Sequence, residues 1–138
     1  MNTDIDKAIE ILNQGGIVIF PTDTAFGIGC RIDNENAIKK LFKIRKRPGF
    51  MATPVLVGGL EMAKDYVLEI PKDVKEKLID KFRPGALTIV LQSRIDKVPS
   101  LVTGWTGTLG VRFPNNVTLL QLIKGVGVPI VAPSANFS

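Results

Sequence analysis

Four short clusters bring together side chains able to hold or transform a charged substrate. Pro21-Thr22-Asp23-Thr24 puts two hydroxyls and a carboxylate at the end of an apolar run, followed by Ala25-Phe26-Gly27-Ile28-Gly29. Lys43-Ile44-Arg45-Lys46-Arg47-Pro48 gathers four cations within five residues. Arg45 and Arg47 straddle a helix exit, and guanidinium forks match phosphate oxygens two at a time. Thr108-Leu109-Gly110-Val111-Arg112-Phe113-Pro114 sets Arg112 in a strand otherwise suited to burial, where a cation needs an anion from the protein or from a ligand. Pro129-Ile130-Val131-Ala132-Pro133-Ser134-Ala135-Asn136 opens an apolar strand into small and hydroxyl residues that let a ligand approach the backbone. Each cluster also has a purely structural explanation. These are a turn whose Thr and Asp satisfy their own backbone, a cationic helix end favoured by the dipole, an internal ion pair, and a strand-to-turn junction.

The residue inventory narrows the chemistry. The chain has no histidine and a single cysteine, Cys30. A Ser-His-Asp triad, a histidine general base, the usual zinc sets and an internal disulfide are therefore excluded. Catalysis would have to rest on positioning and charge, with a magnesium ion held by substrate phosphates, which suits phosphoryl or nucleotidyl transfer. A net charge of +5 favours a polyanionic ligand such as a nucleotide or nucleic acid. Met1 to Asp6 carries two aspartates and no basic residue, and no apolar run reaches the length of a membrane span, so a cytoplasmic protein without membrane contact is expected.

Elements that alternate along the chain must position these clusters. Ile5, Ala8, Ile9 and Leu12 fall at helical spacing before Gly15-Gly16, and the β-branched run Ile17 to Phe20 reads as a buried strand. A second short strand is expected over Phe26 to Cys30, and a helix from Ala37 to about Arg45, with another strand at Pro54 to Val57. Helical patterns cover Leu60 to Val67 and Lys72 to Phe82. Strands follow at Leu87 to Leu91, Leu109 to Phe113 and Val128 to Ala132, with a helix over Leu119 to Lys124. This alternation predicts one α/β domain with helices packed on a mixed, twisted sheet. The stretch from Ser93 to Gly107, rich in Gly, Pro, Ser and Thr, reads as flexible with Trp105 as its one large anchor.

Taken in order, GGIVIFPTDTAFGIG, IRKRP, FRPGALTIVL, TLGVRFP and PIVAPSANFS resemble the YrdC/Sua5 family, over Gly15 to Ser138. The resemblance implies a twisted open mixed sheet, flanked by helices, with a basic concave cavity. It also implies an L-threonylcarbamoyl-AMP synthase, a nucleotidyltransferase that turns ATP, L-threonine and bicarbonate into threonylcarbamoyl-AMP and pyrophosphate with magnesium. That reaction is the first step of the t6A modification at position 37 of ANN-decoding tRNAs, and a downstream threonylcarbamoyl transferase machinery would consume the product. The alternative is a non-catalytic module that binds double-stranded RNA or tRNA in the same basic cavity.

Residue by residue, the resemblance implies ATP contacts from Arg45, Arg47, Thr108, Ser134 and Asn136, and L-threonine contacts from Thr22, Arg112 and the backbone near Ala132. No metal ligand and no catalytic side chain follow from it. Two departures stand out in the sequence itself. Arg45 occupies a position where the family pattern has lysine, and Gly58 lies near the place where many members carry a histidine. The family domain normally continues past the S-x-N motif, so the C-terminal part of that domain is expected to be absent from a chain ending at Ser138, leaving a sheet edge that would invite another chain.

Overall fold

A computed structural model describes residues 3–21, 26–46, 52–80, 88–114 and 116–133. Helix α1 (Thr3–Asn13) turns one apolar stripe inward, with Leu12 fully buried, and ends where Gly15 adopts a φ of +86°. Strands β1 (Val18–Pro21) and β2 (Phe26–Arg31) form an antiparallel pair. Helix α2 (Glu35–Ile44) starts at Asn34, whose side-chain oxygen accepts from the Ala37 N–H at 3.0 Å. Strand β3 (Val55–Leu56) leads to helices α3 (Leu60–Lys64) and α4 (Lys72–Asp80). Strand β4 (Thr88–Gln92), the short helix α5 (Ser100–Thr103), strand β5 (Thr108–Arg112), helix α6 (Val117–Val126) and strand β6 (Ile130–Val131) complete the order.

The strands form one mixed sheet in the order β1-β2-β6-β3-β5-β4. Only β3 and β5 run parallel among the named pairs; the others are antiparallel. Register then assigns every side chain a face, because directly paired residues share one and neighbours along a strand alternate. Cys30, Val131, Val55, Val111 and Ile89 lie in one row across β2, β6, β3, β5 and β4. Their face meets the larger core, to which α2 contributes Ala37, Ile38, Leu41 and Phe42.

The opposite face is covered over only part of its width. There α1 and α6 pack on β1, β2, β6 and β3, burying Leu12, Phe20, Leu56, Leu122, Ile123 and Ile130 together. Close packing sets glycines in this half: a Cβ at Gly29 would stand 2.6 Å from the Ile130 side chain and 2.7 Å from the Val131 carbonyl oxygen. One at Gly125 would run into Ile9, where α1 crosses α6. Over β5 and β4 the same face has no helix from the described residues.

The expected α/β architecture is present, and the elements match the sequence patterns to within a few residues. One expectation is corrected. The stretch from Ser93 to Gly107 is a packed connection in which Trp105 is 69 % exposed, while Val98 and Val102 enter the core and Ser93 and Thr103 are buried. Its polar residues are consumed locally: the Ser93 N–H donates to the Gly107 carbonyl at 2.9 Å, and the Thr103 hydroxyl donates to the Ser100 carbonyl at 3.2 Å. Gly104 and Trp105 both take left-handed φ, a compact turn that leaves the indole outside.

Candidate functional site

The uncovered half of the second face is built by alternation. In β5, Leu109 and Val111 enter the core, so Thr108, Gly110 and Arg112 point the other way and are half-buried. In β4, Ile89 and Leu91 pack inward, so Thr88, Val90 and Gln92 are exposed on that same face. Pairing sets Thr88 beside Arg112, Val90 beside Gly110 and Gln92 beside Thr108. On the other flank, Leu56 lies beside Arg112, and Pro54 lies beside Gly110, whose Cβ position is 3.6 Å from the Pro54 Cβ. Ala132 closes the row, its N–H donating to the Pro54 carbonyl at 3.1 Å. The result is a strip of sheet, the trough, floored by β4 and β5 and bordered by the part of the same face on which α1 and α6 pack.

Its two ends differ chemically. At one, Arg112 supplies a guanidinium next to the Thr88 hydroxyl. At the other, the Thr106 hydroxyl donates to the Thr103 carbonyl at 2.7 Å and lies 2.8 Å from the Thr108 hydroxyl. One hydroxyl has one proton, so Thr106 accepts from Thr108, and Thr108 presents its remaining lone pairs outward. Thr108 and Arg112 are four residues apart on one strand, about 13 Å along it, a span suited to an elongated ligand. Thr88, Val90, Gln92, Thr108, Gly110, Pro54 and Ala132 are not ionisable, and Arg112 brings a guanidinium to this described row.

Thr108, Arg112 and Ala132 are thus brought together from separate segments. Arg112 is half-buried on an open face, which corrects the expectation of a buried arginine: the strand alternates, and only its other side is apolar. Arg45 is the C-cap of α2, half-buried, its N–H donating to the Leu41 carbonyl at 3.0 Å. Since α2 runs back along β2, this cap lies toward the end of the sheet where β5 begins and β6 ends, the end that carries Thr108 and Ala132. Thr22, Arg47, Ser134 and Asn136 lie outside the described residues. Thr88, Val90, Gln92, Thr106 and Gly110 were not among the expected site residues, although alternation in TIVLQ sets Thr88, Val90 and Gln92 on one face of their strand and alternation in TLGVR sets Thr108, Gly110 and Arg112 on one face of theirs.

A second cavity of about 600 Å³ lies elsewhere, bordered by Asp33, Glu35, Tyr66, Asp96, Lys97 and Pro99 among others. Three carboxylates against one ammonium make it unfavourable for an anion. The Arg31 guanidinium, 2.8 Å from the Asp33 carboxylate, holds Asp33 below the usual aspartate range, and burial pushes the Tyr66 phenol up. Among the described residues, no three His, Cys, Asp or Glu side chains cluster as a metal site, and no helix is long and apolar enough to cross a membrane.

Comparison with known proteins agrees with the fold and the motif order. The family model Sua5_yciO_yrdC, described as telomere recombination, matches residues 10–138. The chain belongs to the Sua5/YciO/YrdC family. It is 34 % identical over 134 residues to the threonylcarbamoyl-AMP synthase of Bacillus subtilis and 37 % identical over 131 residues to that of Pyrococcus abyssi, covering 97 % and 95 % of its own length. It spans 38 % of the length of each of these relatives. The crystal structure of P. abyssi Sua5 complexed with L-threonine superposes with a TM-score of 0.90 at 36 % identity, over 99 % of this chain and 39 % of that one. The Sua5-like sheet is thus the framework on which Thr108, Arg112 and Ala132 are set.

Proposed function

We propose that this chain carries the substrate-binding sheet of an L-threonylcarbamoyl-AMP synthase, a nucleotidyltransferase acting on ATP, L-threonine and bicarbonate. The observation that carries this reading is the trough: Arg112 at one end, the Thr108 hydroxyl about 13 Å away, and, among the described residues that pair along it, no carboxylate between them. A P. abyssi relative of the same fold is complexed with L-threonine, which supports an amino acid as one occupant here. In this reading Arg112 takes the amino-acid carboxylate, which a guanidinium grips through paired charge-assisted hydrogen bonds. Thr108 lies toward the nucleotide, joined by Arg45 and, from the sequence resemblance, by Arg47, Ser134 and Asn136; Thr22 and the backbone near Ala132 complete the threonine contacts.

The chemistry asks little of a protein base. The threonine amine adds to bicarbonate and loses water to give a carbamate. A carbamate oxygen then attacks the α-phosphorus in line, forming the new P–O bond as the bond to pyrophosphate breaks. Positioning and charge neutralisation supply the acceleration, since aligning two bound reactants can remove roughly 7–11 kcal/mol of barrier. Magnesium would supply charge neutralisation on the phosphates; among the described residues the trough offers it no carboxylate, which fits an ion held by the nucleotide. The product would feed threonylcarbamoyl transfer to tRNA. Incubation with ATP, bicarbonate, L-threonine and magnesium should release pyrophosphate only when threonine is present. Threonine-independent release would refute the synthase reading, and absent release with salt-sensitive RNA binding would favour a non-catalytic RNA-binding module.

A further inference from the structure

Gly110 is a glycine that the fold does not require. Its φ is not in the left-handed region, and among the described residues the nearest atoms to a Cβ built there are the Pro54 Cβ at 3.6 Å, the Pro54 Cα at 3.7 Å and the Thr88 Cγ2 at 3.7 Å, all ordinary contacts. Glycine inside a strand weakens it relative to alanine, and where no turn or packing contact demands it, it marks a place that another group approaches closely. Beside it across the β4–β5 pair stands Val90, 67 % exposed. Ala132, Pro54, Gly110 and Val90 therefore make a row without one polar side chain, notched at Gly110, lying between the Arg112–Thr88 row and the Thr108–Gln92 pair.

Resting on the function proposed above, we propose that Gly110 and Val90 are specificity-determining residues. With the amino-acid carboxylate held at Arg112, the notch over Gly110 receives the hydrocarbon part of the amino acid, and Val90 lines it. The depth of that notch limits the amino acid to a small side chain. A methyl group added to the floor takes up the space that distinguishes threonine from serine.

Two variants test this. Gly110→Ala fits the fold, so its Tm should not fall. Its KM for L-threonine should rise roughly tenfold, the cost of one misplaced methyl group, with little change in KM for ATP. Turnover of L-serine relative to L-threonine should increase. Val90→Ser, at an exposed position, should raise the KM for L-threonine about threefold through lost apolar contact and leave the Tm unchanged, so it stands as a test even if Gly110→Ala folds poorly. An unchanged KM for L-threonine in both variants would overturn the inference while leaving the synthase assignment intact. So would an equal loss for threonine and ATP in a stable Gly110→Ala protein. A wild-type protein that neither binds L-threonine nor releases pyrophosphate would overturn the synthase assignment and this inference with it.

Discussion

One sheet face is treated in two ways. Over β1, β2 and β6 it is roofed by α1 and α6, and glycines there are set by packing: Gly29 has Ile130 and the Val131 backbone where its side chain would be. Over β5 and β4 no helix of the described residues covers it, and the nearest described atoms leave ordinary contact distances for a methyl group at Gly110. The same residue type thus answers to the protein's own core in one half and, in the proposed site, to a ligand in the other. Space around a glycine, more than its presence, separates structure from function here.

Chemical access should show the contrast most strongly. Burial pushes the Cys30 thiol up to about 12 and hides it on the packed side of β2, so the reactive thiolate is scarce in the folded state. Labelling by a thiol reagent near pH 8 should be slowed at least ~10³-fold relative to the unfolded chain, because it must wait for opening. Rapid labelling under native conditions would mean that this side of the sheet is loose. Gly29→Ala comes next: overpacking against Ile130 and a backbone oxygen should cost about 1–3 kcal/mol, read as a lower denaturation midpoint. Gly110→Ala, on the open half, should leave the midpoint unchanged or raise it slightly. Equal destabilisation of the two would erase the distinction between roofed and open halves.

The smallest effect is expected at the Arg31–Asp33 pair, at the end of β2 on the margin of the roofed half. Asp33 is held low mainly by its hydrogen bond from Arg31, so the pair stabilises the fold above the ordinary aspartate range, and the benefit is lost as pH falls through the lowered folded value. Half of the Asp33 side chain is exposed, and solvent screening limits the contribution to about 0.5 kcal/mol. Asp33→Asn should therefore lower stability slightly at neutral pH, and the gap from wild type should close as pH falls below about 4. A gap that widens on acidification would contradict the assigned sign.

Much of this was legible in the sequence. Apolar periodicity located the helices from Ile5 and from Ala37, and the β-branched runs located the strands, because those patterns are what packing against a single sheet requires. Motif order identified the family. What escaped was set by pairing between segments far apart in the chain. Arg112 looked buried because its neighbours Leu109 and Val111 are; only the register with Thr88 and Leu56 shows that it faces a trough. Thr106 was invisible as the partner of Thr108, and Trp105 looked like an anchor until Val98 and Val102 took that role. Gly110 could not be told from Gly29 by type or by strand position, since the difference lies in what each would touch.

The central claim, that the open β4–β5 face holds the substrates, is tested most directly by following backbone amide NMR shifts while L-threonine and then ATP are added. The account predicts that the perturbed residues cluster at Thr88 to Gln92, Thr108 to Arg112 and Ala132, with Tyr66, Asp96 and Ser100 around the acidic cavity unmoved. Perturbations centred on Tyr66, Asp96 and Ser100, with the β4–β5 pair silent, would contradict it.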